Sequence, residues 1–447
     1  MKQENVAFLT LGCKVNQYET NAMAQKFKQA GYKVIEYESS DVKNSTKIDI
    51  YVINTCTVTN ISDRKSRQML RKVKEHNPNA IIVATGCYAQ VAKEVLNDME
   101  EIDLVLGNNE KKDIVQYVEQ FKKDHNKISE VKDTFEPKEF CEFGTTTYTE
   151  KTRAAIKVQD GCDRFCTYCI IPYARGRVRS RRPEKVIEEI KEISKKGIKE
   201  VVITGIHIAS YGKDFINDEK LKEYRLIDLL QEINQIEGIK RIRLGSIEPT
   251  LITDEFIEKI KNIEKICHHF HLSLQSGCDD TLSRMNRKYT TEEFRQAVQR
   301  LRNTYKDVIL TTDIIVGFPG ETEEEFEKTT KFLEEIKFYK MHIFPYSQRK
   351  GTKAAEMPKQ VDGNIKEKRA KELIEMSNKN QLEYNKQYCG TEVEVLIEEK
   401  QKDIYKGHTA NYILVKVKNT NEKELENKIK NVKIEEAEEE NLIGIIY

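Results

Sequence analysis

Long apolar runs are missing from this 447-residue sequence. No stretch of about 18 apolar residues occurs, so a membrane-spanning helix is not expected. An excess of charge of one sign is missing too. The formal net charge is +1, from 75 Lys and Arg against 74 Asp and Glu, which neither requires nor forbids a nucleic-acid partner. The opening MKQENVAFLTLGC enters an apolar strand directly. It lacks the basic and then apolar layout of a signal peptide, so a cytoplasmic location is expected. There is no long internal repeat, and no low-complexity tract beyond the acidic stretch IEEAEEE at 434–440.

Hydrophobic residues make up 38% and charged residues 33%, the balance of a globular chain with a polar surface. The length predicts two or three domains at roughly 100–200 residues each. Basic residues crowd 64–74 (RKSRQMLRKVK) and 175–182 (RGRVRSRR). Ten cysteines are many. In a reducing compartment they argue against a disulfide framework and for metal or redox chemistry.

Short β-rich runs at 6–10, 51–55 and 81–85, a further strand at 103–106, and helical patterns around 17–30 and 63–75 alternate. Such alternation predicts a doubly wound parallel sheet. Residues 119–150 read as a linker, polar and without a sustained period. Strands are then expected at 154–159, 200–204, 240–245, 269–274, 308–315 and 340–344, with helices starting near Pro183, Leu226, Thr253, Thr290 and Thr322. Six successive βα units predict a partial (β/α)6 barrel. A charged helix over 363–388 leads away, and from 391 short alternating runs predict a small all-β barrel, an OB-like fold being one candidate. The expected fold class is therefore α/β, with domains at 1–118, 151–388 and 389–447.

The most informative segment is GCDRFCTYC. It places Cys162, Cys166 and Cys169 in C-x3-C-x2-C spacing on a loop after a strand. Three soft thiolates on so short a loop can hold one face of an iron–sulfur cubane and leave one iron open for catalysis. A structural zinc site would close with a fourth Cys or His at short spacing. Three unrelated buried cysteines are the remaining alternative. Cys13, Cys56 and Cys87 share another context: each ends an expected strand, in FLTLGC, YVINTC and IIVATGC. In a parallel sheet those ends lie along one edge, so the three thiols can converge on a second cluster. They can equally be small buried strand-end residues.

The triad, with Tyr168 just before its last cysteine, resembles the radical S-adenosylmethionine superfamily. The resemblance implies a 4Fe-4S cluster on Cys162, Cys166 and Cys169. There S-adenosylmethionine chelates the open iron and is cleaved to a 5′-deoxyadenosyl radical. The whole chain is similar to the methylthiotransferases, through LGCKVNQYET, NTCTVTN, GCDRFCTYCIIPYARGRVRSR, LSLQSG and IIVGFPGET. That likeness implies a second 4Fe-4S cluster on Cys13, Cys56 and Cys87 that brings sulfur. It also implies a sulfur source, and an electron donor such as flavodoxin or ferredoxin. A monomer is the default.

Further cofactor contacts are expected where barrel strands end: Thr204 and Gly205, then Ser246 and Glu248, Gln275 in SLQSG, and Gly317 in GFPG. These ends rim one mouth of a (β/α) barrel. Each is also readable as an ordinary loop residue. Cys141, Cys278 and Cys389 have no spacing partner and read as structural. In Cys267-His268-His269-Phe270-His271, adjacent histidines of a strand point to opposite faces, which disfavours a metal site.

Arg175, Arg177 and Arg179, followed by Arg181 and Arg182, directly follow the cysteine loop. Guanidinium groups suit phosphate and base stacking, so the first three are candidate substrate contacts, against a merely solvated charged face. The terminal barrel resembles the TRAM domain, with Lys406, His408 and Tyr412, then Lys416 and Lys418, as RNA contacts. DRFCTYCIIPYARG and GHTANYILVKV are most similar to the group acting on N6-threonylcarbamoyladenosine in the tRNA anticodon stem-loop. The resemblance thus implies methylthiolation at carbon 2 of that base. Isopentenyladenosine and an aspartate of a ribosomal protein are the other substrates of the family. A different radical chemistry, and a non-enzymatic RNA-binding protein with structural metals, remain open.

Overall fold

Apolar β-branched runs of five or six residues form the strands here because a parallel sheet is covered on both faces and tolerates no polar side. The computed structural model describes residues 3–35, 47–136, 139–144, 152–418 and 424–446. It divides into two compact units. One comprises Met1–Thr149, Lys157–Arg181 and Gln348–Thr352; the other comprises Glu150–Ile156, Arg182–Ser347 and Lys353–Tyr447.

In the first unit, β1 (Asn5–Thr10), β2 (Lys33–Ile35), β3 (Ile50–Thr55), β4 (Ile81–Gly86), β5 (Leu104–Leu106) and β6 (Ile128–Glu130) form one parallel sheet. Its order is β2-β1-β3-β4-β5-β6. Alternation along the strands fills two cores. Val6, Val52 and Val83 pack with Met23 and Phe27 on one face. Ala7, Tyr51, Ile53 and Ile82 pack with Leu70 and Val73 on the other. The expected linker, 119–150, holds the end of the helix Ile114–Asp124 and the edge strand β6. Three-residue strands such as β2 and β6 carry too short a pattern to read. Residues 137–138 and 145–150 of that segment lie outside the described residues.

The strand β7 (Arg153–Asp160) contributes its last four residues to this first unit, where it pairs antiparallel with β8 (Arg179–Ser180). In the second unit, β7 continues the ladder β10-β9-β7, where β9 is Glu200–Gly205 and β10 is Arg241–Leu244. A second parallel ladder joins β11 (His269–His271), β12 (Ile309–Val316) and β13 (Lys340–Pro345). Two isolated bridges, Ile242 to Ile266 and Ile247 to Leu272, link the two ladders. The six strands thus make an open, partial barrel rather than a continuous one. Its helices begin one residue after the threonines anticipated as starts, because Thr253, Thr290 and Thr322 are the N-caps. Their hydroxyls accept from the backbone N–H of Phe256, Glu293 and Glu325.

After the helix Gly363–Lys386, the strands β14 (Glu392–Gln401), β15 (Ile404–Thr409), β16 (Leu414–Lys418), β17 (Ile429–Ala437) and β18 (Leu442–Ile445) close into a barrel, β14-β15-β16-β18-β17. Arginines bind it to the partial barrel. Arg241 donates to the carbonyl of His408 at 2.9 Å and pairs with Glu394 at 3.0 Å. Arg153 pairs with Glu398 and, at 2.9 Å, with Glu200. Arg243 meets Glu200 at 2.7 Å and lies over the Tyr412 ring at 4.4 Å. Burial would raise the Glu200 carboxyl, but Arg243 and Arg153 hold it down to about 2. Its stabilising contribution is therefore present above the ordinary carboxylate range and lost only as pH falls through about 2. Glu200→Gln leaves two arginines without their shared counter-charge. It is expected to destabilise the fold by about 3–5 kcal/mol, read as a lowered midpoint in guanidinium unfolding.

Candidate functional site

Three adjacent strands of the first unit end in thiols. Cys13 follows β1 and is the N-cap of the helix Lys14–Gln29. Cys56 follows β3, and Cys87 follows β4 as the first residue of the turn Cys87–Val91. The chain order reverses between β1 and β3, and at such a switch point the loops diverge and leave a crevice. Cys56 and Cys87 are buried, while Cys13 is exposed. Gly12 allows the close approach. It sits at φ +103°, and a Cβ there would lie 2.7 Å from Cys56 Sγ.

Burial raises the Cys56 thiol, and charge on Cys87 and Cys13 raises it further. Crowding raises Cys13 as well, although solvent reaches it; Arg175 opposes this and Cys87 adds to it. Geometry gathers the thiols: Gly12, next to Cys13, abuts Cys56 Sγ, and Gly86, next to Cys87, pairs with Thr55, next to Cys56. A soft metal centre that takes all three as thiolates removes their mutual repulsion. The donor set therefore fits an iron–sulfur cluster with three protein ligands.

Cys162, Cys166 and Cys169 lie in the same unit, on the loop between β7 and the turn Ile171–Arg175. Backbone bonds close this loop: Cys162 N–H donates to the Gly176 carbonyl at 3.0 Å, and Cys169 N–H to the Cys166 carbonyl at 2.9 Å. Gly161 opens it at φ +72°, where a Cβ would run into the Arg177 carbonyl. Phe165 adopts φ +47° in mid-loop, an uncommon conformation of the kind that surrounding structure must impose. Cys166 is buried, with Cys162 and Cys169 half-buried on either side. Tyr168 is half-buried beside them. This set also fits a cluster with one iron left open.

A buried ion network joins the two cysteine sets. The turn Ile171–Arg175, which begins two residues after Cys169, packs on the turn that begins at Cys87. Asn108 Nδ2 donates to the Ala174 carbonyl at 2.7 Å. Arg175 Nε donates to Cys87 Sγ at 3.1 Å, and its Nη2 to Asn16 Oδ1 at 2.7 Å and Glu19 Oε2 at 3.2 Å. Lys157 bridges Glu19 and Asp160 at 2.7 Å each, and Lys111 pairs with Glu19. Arg179 lies 3.7 Å from Asp160. Burial would raise Glu19, but Arg175, Lys111 and Lys157 hold it well below the carboxylate range. Lys157, Arg175 and Arg179 likewise overcome burial at Asp160 and hold it to about 2.

The arginine run therefore divides. Arg175 and Arg179 are 0% and 1% exposed and engaged in ion pairs inside the unit. Arg181 is buried on Glu142 at 2.9 Å. Arg177 faces outward, 3.3 Å from Asp163 and over the Phe165 ring at 5.0 Å.

In the second unit, Thr204 and Gly205 end β9, Ser246 is exposed past β10, and Glu248 is buried. Glu248 is held by Arg287 and His207, each at 3.2 Å. Gln275 adopts φ +73° while its N–H donates to the Asp313 carbonyl at 2.9 Å. Gly317 N–H donates to Glu321 at 2.8 Å. These six residues all fall at or just beyond strand ends of the partial barrel.

On the terminal barrel, Lys406 and His408 share one face of β15. His408 stacks on Tyr412 at 4.7 Å, and Tyr412 is covered in turn by Arg243. Tyr412 thus helps seat the barrel, while Lys406 reaches Gln401 at 2.5 Å on its surface. Of the three histidines near β11, His268 meets Asp307, while His269 and His271 both reach the Thr311 hydroxyl and His271 also lies 3.2 Å from Asp313.

Sequence reasoning did not single out Asn16, Glu19, Lys157, Asp160, His207 or Arg287. One signal was readable. Cys13, Asn16 and Glu19 are spaced by three, which places Asn16 and Glu19 on the helix face above Cys13.

Residues 156–333 match the Radical SAM superfamily, and residues 5–107 match the family described as Uncharacterized protein family UPF0004. The chain is 43% identical, over 97% of its length and 94% of the relative's, to the threonylcarbamoyladenosine tRNA methylthiotransferase MtaB of Bacillus subtilis. It is 43% identical to the Aquifex aeolicus protein of the same name, over 92% and 96%. It is 38% identical to the tRNA-2-methylthio-N(6)-dimethylallyladenosine synthase of Thermoanaerobacter pseudethanolicus, over 87% and 81%. Among solved structures, the radical S-adenosylmethionine methyltransferase TsrM of Kitasatospora setae shares the fold, with TM-score 0.58 at 14% identity over 79% of this chain and 77% of that one.

Gly161→Ala tests the loop. The left-handed conformation alone costs an alanine about 1–2 kcal/mol, and the clash with Arg177 adds to it. After reconstitution, its iron content is expected to fall to that of a protein lacking Cys162, Cys166 and Cys169, measured by colorimetric iron assay and visible absorbance.

Proposed function

Because the chain belongs to the radical S-adenosylmethionine methylthiotransferases, we propose that it modifies tRNA, inserting a methylthio group at carbon 2 of N6-threonylcarbamoyladenosine beside the anticodon. The observation that carries the two-cluster reading is the gathering of two sets of three cysteines in one compact unit. The choice of base rests on the likeness to the two threonylcarbamoyladenosine methylthiotransferases.

When bound, a cluster on Cys162, Cys166 and Cys169 supplies the electron that cleaves S-adenosylmethionine, and one on Cys13, Cys56 and Cys87 supplies the site for sulfur. The chain's own residues orient and exclude. Thr204, Gly205, Ser246, Glu248, Gln275 and Gly317 line strand ends, the place where a (β/α) barrel binds its ligands. Arg287, at 3.2 Å, and the Thr250 hydroxyl, which donates at 3.3 Å, orient the Glu248 carboxylate to accept from a ribose hydroxyl. Arg177, outward and stacked on Phe165, offers a guanidinium to the threonyl carboxylate or a neighbouring phosphate. Lys406 and His408 offer a basic and aromatic face for the RNA backbone. A low-potential flavodoxin or ferredoxin is the electron donor in this scheme, and sulfur arrives from a separate source.

Cys166→Ala is expected to abolish reductive cleavage of S-adenosylmethionine, followed by chromatography of 5′-deoxyadenosine. Cys56→Ala should keep that cleavage and lose methylthiolated product; product formation by Cys56→Ala would sink the two-cluster scheme. Mass spectrometry of tRNA nucleosides from a deletion strain is expected to show loss of 2-methylthio-N6-threonylcarbamoyladenosine. Loss of the isopentenyl analogue instead would move the substrate to that base.

A further inference from the structure

Arg175 is fully buried, and no charged group is left buried without a reason to be there. Removing a guanidinium from water costs several kcal/mol unless anions and acceptors replace the solvent. Around it, four cations (Lys111, Lys157, Arg175 and Arg179) face two carboxylates, Glu19 and Asp160. The network thus carries more positive than negative charge. The nearest group able to supply the missing negative charge is the sulfur of Cys87, 3.1 Å from Arg175 Nε.

The geometry points to Arg175 as a positioning residue of the Cys13, Cys56 and Cys87 site. It fixes Cys87 and makes an iron–sulfur cluster there easier to reduce. This inference rests on the reading of those three cysteines as cluster ligands. Two physical effects act in the same direction. A donor aimed at a ligand sulfur stabilises the more electron-rich state of a cluster, and so does a nearby surplus of positive charge. Both are set rigidly. The guanidinium plane is held by Asn16 Oδ1 at 2.7 Å, by Glu19, and by Asp160 at 3.5 Å. Asn16 is itself anchored, donating to the carbonyls of Leu11 at 2.7 Å and Thr55 at 3.0 Å, one on each side of the sheet's switch point. Arg175 also lies six residues after Cys169. The turn that leaves one cysteine set therefore delivers the side chain that steadies the other.

The test uses the full chain with Cys162, Cys166 and Cys169 replaced by Ala, so that only the N-terminal cysteines bind iron. The reconstituted protein is titrated with dithionite, which supplies the one electron the cluster takes up, and followed by electron paramagnetic resonance. At the parent's midpoint, Arg175→Gln is expected to be at least tenfold less reduced, a lowering of 59 mV for a one-electron couple. Arg175→Lys keeps the charge and loses the aimed Nε–H, so its shift should have the same sign and be smaller. Glu19→Gln removes a negative charge and should shift the midpoint upward.

Opposite signs for Arg175→Gln and Glu19→Gln separate electrostatic positioning from a loosened fold, which would move both the same way. An unchanged midpoint in Arg175→Gln, or equal signs in the two, overturns the inference while leaving the second cluster intact. If Arg175→Gln retains no iron, the Lys and Glu19 variants decide by the same signs. A parent protein that binds no cluster defeats the two-cluster reading itself, and this inference with it.

Discussion

Glu19 has no water to stabilise its charge. It sits on the helix Lys14–Gln29, 0% exposed, and its two oxygens are shared among Lys111, Lys157 and Arg175. Those partners come from three places in the chain: the segment after β5, the strand β7 and the turn after the second cysteine loop. A buried carboxylate with three cationic partners tolerates few rearrangements, because any element that withdraws leaves an unpaired charge in low dielectric. The position of the cysteine loop, the edge of the parallel sheet and the helix above Cys13 are all tied to this one residue.

The two cysteine sets differ in how they are built. One is local, three thiols on a short loop closed by backbone hydrogen bonds and a glycine. The other is topological, three thiols brought together because β1, β3 and β4 are neighbours in a parallel sheet. Local sites survive changes elsewhere in the fold, since their geometry is fixed within a few residues. A topological site depends on strand order, on Gly12 leaving room for Cys56, and on the ion network beneath. Both kinds leave three protein ligands, the arrangement that keeps an iron accessible.

Much of this was legible in the sequence. Strand-end cysteines and a C-x3-C-x2-C loop announce themselves by spacing, and the capping threonines 253, 290 and 322 mark helix starts to within one residue. What was hidden is long-range. Arg175, Arg177 and Arg179 read alike in sequence, yet two are buried in ion pairs and one faces outward, because pairing with Glu19 and Asp160 depends on tertiary contacts. Nor does the sequence show that Tyr412 lies beneath Arg243 and against His408. The short strands β2, β6 and β8 exist through pairing with neighbours rather than through any pattern of their own.

The strand β7 carries ion pairs toward both of its ends: Arg153 with Glu200 near the start, Lys157 with Glu19 and Asp160 further on. These two cations are an even number of residues apart and so point to the same face of the strand. A slip of one residue in its pairing would turn both away at once. The strand is thus indexed like a toothed rack rather than clamped at a single point. Its alignment is set by charge as well as by shape, and an error in register would be penalised at two places along one strand.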